Sequence, residues 1–66
     1  MVDPRILNVK ARYELQLTTI PGVIGVGASD EGVIVYVRTE EDIMRLPKEL
    51  DGVPVIPRVV GEVRIL

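Results

Sequence analysis

Apolar side chains recur at helical spacing over residues 1–20 and then give way to short, nearly continuous apolar runs. Asp3 can cap a helix, Pro4 suits a first helical position, and good helix formers follow. At about 100° per residue, Ile6, Val9, Tyr13, Leu17 and Ile20 form one stripe, which predicts a face packed on a sheet. Leu7, Ala11 and Leu15 form a second stripe well round the other side. Arg5, Asn8, Arg12 and Thr19 make one polar flank, and Lys10 and Glu14 interrupt the other.

Pro21-Gly22 ends the helix. Val23 to Ala28 and Val33 to Arg38 then read as strands joined through Ser29-Asp30-Glu31-Gly32, where Gly32 offers a positive-φ position. Neither strand alternates apolar with polar: Val33, Val35 and Val37 point one way, Ile34 and Tyr36 the other. Thr39 followed by Glu40, Glu41 and Asp42 predicts a second, shorter helix, its acids favoured at the positive helix end. Lys48 to Leu50 suit one more turn, and Asp51-Gly52 reverses the chain. Val53 to Ile56 and Val59 to Ile65 read as strand, as two pieces or one bent at Pro57; Pro54 and Pro57 assign this part to an edge or a bulge.

The expected fold class is therefore α+β, one domain over residues 1–66. Its order is helix–strand–strand–helix–strand with room for a further strand, and its small, mostly antiparallel sheet carries both helices on one face. That arrangement leaves a second apolar face without cover. Exposing a side chain such as Ile34 forgoes roughly 1.5–3 kcal/mol, a large share of the stability open to so small a domain. Chains of this length usually need a disulfide, a metal or a partner subunit. With no Cys and no His, the first is excluded and zinc would have only oxygen ligands. Association with a second copy is the remaining answer, through Leu7, Ala11 and Leu15 or through Ile34 and Tyr36.

Composition narrows the chemistry. The net charge is −2, and Tyr13 and Tyr36 are the only aromatics, which argues against gripping nucleic acid. No apolar run approaches the roughly 20 residues that span a bilayer, and no secretory signal pattern opens the chain, so no membrane partner and a cytoplasmic location are expected. One Asn, one Gln and no Cys fit a heat-adapted composition. The glycines of Gly22-Val23-Ile24-Gly25-Val26-Gly27 lack the Lys and the following helix of a phosphate loop, and are assigned to a bulge or close packing. Asp30 and Glu31, or Glu40, Glu41 and Asp42, lack the spacing of a cation loop. Ser29, the only serine, has no base to activate it. Arg38, Arg45, Arg58 and Arg64 are read as a solvated, salt-bridged rim. No catalytic, cofactor or metal site is expected.

Two resemblances attach to these elements. Leu17 to Val26, with Val33 to Val37, resembles the middle of a heavy-metal-associated domain, which implies a ferredoxin-like variant. The Cys-x-x-Cys loop and the strand that precede the first helix in that family are absent, so its metal chemistry does not carry over. Ile20 to Gly27, Leu46 to Val55 and Gly61 to Leu66 are similar to segments ahead of some bacterial trypsin-like protease domains, which implies an accessory or assembly module. The leading expectation is a non-enzymatic, self-associating interaction module, a homodimer. The alternatives are a regulatory domain with a small-ligand site between subunits, and an accessory or inhibitory segment for a protease.

Overall fold

The computed structural model describes residues 2–61. Its first element is the helix α1, Pro4–Thr18, where the Asp3 carboxylate accepts from the Arg5 N–H at 2.8 Å and Pro4 occupies the first turn. The helix ends two residues earlier than the apolar stripe: Thr19 and Ile20 close the last turn onto Gln16 and Leu17, and Gly22 takes φ +93°. That left-handed value suits glycine because it has no Cβ to clash.

Two strands follow, β1 (Val23–Ala28) and β2 (Val33–Val37), paired antiparallel with Gly25 opposite Tyr36, Gly27 opposite Ile34, and a bulge between Val23 and Gly25. The Ser29 side chain organises the connection, accepting from the N–H groups of Glu31 and Gly32. The positive φ expected at Gly32 is not found there. Glycine is required for another reason: a Cβ at position 32 would collide with the backbone carbonyl of Pro54.

The second helix is a 3₁₀ helix, Glu40–Arg45. Asp42 fixes its start, accepting from the Thr39 N–H at 3.1 Å and the Thr39 hydroxyl at 3.0 Å. The further helical turn expected over Lys48 to Leu50 is instead a short strand, β3 (Glu49–Leu50). Asp51 and Gly52, at φ 50° and 83°, account for the difference. Two consecutive left-handed residues make the tight turn whose twist matches antiparallel strands, and Leu50 accordingly pairs with Val53.

The last strand, β4 (Val53–Val59), runs unbroken through Pro57. The Val55 N–H points away from β2, to the Lys48 carbonyl. Pro57, two residues on, turns its nitrogen to the same outer side, where β3 has ended and no ladder donor is required. The strand expected to run on to Ile65 lies beyond Gly61 outside the described residues.

The sheet order is β1-β2-β4-β3. The sheet is mixed: β1–β2 and β3–β4 are antiparallel, as most of the sheet was expected to be, while β2 and β4 run parallel, Val33 beside Val55 and Val37 beside Val59. Parallel neighbours need a connection of a dozen or more residues, and residues 38–52, with the 3₁₀ helix and β3, supply it. Val33, Val35 and Val37 are fully buried under Ile6, Val9 and Leu17 of α1, and Ile43 and Leu46 pack against the same core. The core lies on one side of the sheet only.

Candidate interaction surfaces

The two parts of the expected association surface sit on opposite outer faces of the molecule. Ile6, Val9 and Leu17 turn one side of α1 to the sheet, which leaves Leu7 49% exposed, Leu15 81% exposed and Ala11 exposed on the outer side. Ile34 and Tyr36 lie on the sheet face turned away from α1, because β2 alternates buried and half-buried positions along its length. The structure therefore brings Leu7, Ala11 and Leu15 together, and Ile34 with Tyr36, but not the two groups with each other.

Ion pairs hold the outer face of α1 on both flanks. Lys10 meets Glu14 at 2.6 Å, one helical turn apart. On the other flank Arg12 meets Asp51 at 2.8 Å, and the Tyr13 hydroxyl donates to the second oxygen of the same carboxylate at 2.9 Å. The hydrogen bond to Asp51 and its negative charge keep the Tyr13 phenol protonated above its ordinary range, with Arg12 pulling the other way. Asp51 thus clasps the β3–β4 turn to the first element of the chain. Nothing in the local sequence signals a contact between positions so far apart.

The open face of the sheet is built around Tyr36. Its ring lies across the β1 backbone, close enough that a Cβ on Gly27 would stand 3.3 Å from Cε2 and one on Gly25 3.9 Å from Cδ2. Gly25 and Gly27, expected to allow a bulge or close packing, serve as a seat for this ring, and the bulge falls at the head of the pair. The sequence signal was available: two glycines two residues apart on one strand face, opposite an aromatic on the next. Half-buried Ile34 and Ile56 are side by side in register and continue the face. Arg58 stands beside Tyr36 in the same way, and Ile24, Arg38, Thr39, Val60 and Gly61 line a shallow hollow at the end of the strands.

Arg38, Arg45 and Arg58 are exposed, as expected of a rim, but its salt bridges are found only in part. Arg45 lies 3.9 Å from Asp42, but among the described residues no carboxylate pairs with Arg38 or Arg58; Arg64 falls outside the described residues. A separate apolar groove runs between the 3₁₀ helix and β4, lined by Ile43, Leu46, Pro47, Val55 and Pro57, with Met44 at its edge.

Among the described residues no group of three or more His, Cys, Asp or Glu side chains converges as a metal site would require. No helix among them is long and apolar enough to cross a membrane. Compared with protein-family models, with curated proteins and with solved structures, the chain matches none.

Proposed function

We propose that the chain is a non-enzymatic module that pairs with a second copy of itself through the outer face of α1. The observation that carries this reading is the 81% exposure of Leu15 in line with exposed Leu7 and Ala11. The spacing Leu7–Ala11–Leu15 is the same read in either direction, so an antiparallel copy related by a twofold axis at Ala11 sets Leu7 of each copy against Leu15 of the other. The small central residue lets the helix backbones approach closely at the crossing. An interface of this kind uses the same patch twice, as a closed dimer requires. Lys10 and Glu14 lie on a flank that meets its own counterpart, so each Glu14 carboxylate comes within reach of the partner's Lys10 as well as its own. Arg12, on the opposite flank, is already neutralised by Asp51.

Each leucine fully withdrawn from water contributes about 1.5–3 kcal/mol. The architecture fits the same proposal as a ferredoxin-like variant, supported by its helix–strand–strand–helix order and departing from it in the parallel β2–β4 pair.

Light scattering coupled to size exclusion, over a dilution series, tests the reading. A dimer that Ala11→Glu converts to a folded monomer is the expected result. A monomer at every concentration, or a dimer indifferent to Ala11→Glu, overturns it.

A further inference from the structure

The free edge of the sheet at β1 is unguarded. Ser29 faces Gly32 across the hairpin, its N–H donating to the Gly32 carbonyl at 2.9 Å. Backbone groups of an antiparallel pair alternate sides, so Gly27 turns its own toward Ile34, while Val26 and Ala28 turn theirs away from β2. Among the described residues no backbone bond reaches the N–H or C=O of either from that outer side. Edge strands are ordinarily blunted by a charge, a proline, short length or a cover. The opposite edge has such devices: β3 is two residues long, and Pro57 gives β4 no outward donor. β1 has six residues, none of them charged and none proline, and its bulge lies at the Val23 end, clear of Val26 and Ala28.

The same edge lies beside one face of α1. Arg12 and Tyr13 reach Asp51 in the β3–β4 turn, so that flank of the helix overlooks β3. The other flank overlooks β1, the strand on which α1 packs most. Leu7, Lys10, Ala11 and Glu14 stand there at the i, i+3, i+4, i+7 spacing of one helix face. The bare strand edge and the exposed helix face are therefore neighbours on one side of the molecule.

We propose that β1 pairs antiparallel with β1 of the second copy, joining two four-stranded sheets into one of eight strands. This rests on the α1 reading and extends it: one twofold axis, perpendicular to the sheet at Val26, relates both the strands and the helices. The Val26 N–H then donates to the carbonyl of the partner's Val26 and its own carbonyl accepts the reverse bond, with Ala28 opposite the partner's Ile24. Neighbouring strands lie about 4.8 Å apart, so helices seated over the two β1–β2 pairs stand about 10 Å apart, the spacing of packed helices. Three features favour a second copy over a strand of another protein. β1 is uncharged, so opposed copies bring no like charges together. Across the axis each Glu14 approaches the partner's Lys10, and a lone foreign strand brings no helix to cover Leu7 and Ala11. A stable interface withdraws about 800 Å² from each partner, more than three side chains of a helix stripe supply alone.

The test is amide hydrogen exchange of the ¹⁵N-labelled protein, at concentrations where light scattering finds the dimer, beside the Ala11→Glu monomer. Val26 and Ala28 are expected to exchange about tenfold or more slowly in the dimer. Val26→Pro removes an outward donor and no β1–β2 bond. With its fold checked by amide dispersion, it is expected to weaken the dimer about tenfold or more; the exchange rates decide the matter if it does not fold. A dimer that Ala11→Glu dissociates, but whose Val26 and Ala28 amides exchange at the monomer rate, overturns this proposal and leaves the α1 reading standing, the edge then being open to another protein's strand. Slow exchange of both amides in the Ala11→Glu monomer overturns it in favour of cover by the chain itself. An unchanged dimer affinity in folded Val26→Pro also overturns it, and a monomer at every concentration overturns both readings.

Discussion

The Tyr36 ring rests on Gly27, leaving only 3.3 Å between Cε2 and the place a Cβ would occupy. A larger side chain at 27 must lift the ring off β1. Gly27→Val is expected to destabilise the domain by about 1–3 kcal/mol, the usual cost of overpacking. Urea denaturation followed by tyrosine fluorescence measures the loss.

Gly32 is a stricter position, because the obstacle is backbone. Its Cβ would enter the Pro54 carbonyl, where β4 begins its run along β2. Gly32→Ala is expected to cost about 2 kcal/mol or more, with the strain falling on the β2–β4 register. Amide exchange of the β4 residues should quicken more than that of β1. Equal quickening in both strands would contradict this account.

Leu15 and Leu17 separate association from folding. Leu17 is 2% exposed in the core, and Leu17→Ala is expected to cost about 2–5 kcal/mol. For a domain of this size that leaves a large fraction unfolded. Leu15→Ala is expected to change the stability of the monomer by no more than about 0.5 kcal/mol, while weakening the proposed dimer. Denaturation at low protein concentration, beside light scattering at high concentration, distinguishes the two.

Tyr13 gives the domain an alkaline limit. Its folded pKa is raised because Asp51 accepts a hydrogen bond from the phenolic hydroxyl, so the fold favours the neutral phenol. The contribution is complete below about pH 10, where the unfolded phenol also keeps its proton, and is lost as pH rises through the higher folded value. In a Tyr36→Phe background, the phenolate absorbance of Tyr13 should appear above the ordinary range, and Asp51→Asn should move it down. Unchanged titration in the Asp51→Asn variant would contradict the assignment.

Much of this architecture was legible from local signals. Asp3-Pro4, Pro21-Gly22 and Asp51-Gly52 mark their turns because each residue has a backbone preference that acts within a few positions. The alternation in β2 identified its two faces, and Leu7, Ala11 and Leu15 separated from the core stripe by angle alone. What was not legible depends on distance. Lys48 to Leu50 became a strand only because Val53 and Pro54 pair with it, and the parallel run of β4 depends on where β2 is waiting. The demand on Gly32 comes from Pro54, and the Asp51 clasp comes from α1. That no carboxylate among the described residues pairs with Arg38, Arg58 or Lys48 was hidden for the same reason, since composition reports how many acids exist and not where they stand.

The position of β2 between an antiparallel and a parallel neighbour has a consequence for the order of folding. On one side it meets β1 across a tight connection, and hairpins of that kind close in about 1–10 μs. On the other side it meets β4 only after residues 38–52 have looped back, a closure whose entropy must be met before the pairing can reward it. The hairpin and the helix before it therefore form the earlier half, and β4 is the late arrival. Until it docks, the inner edge of β2 is an open template, and the Gly32–Pro54 contact registers the incoming strand.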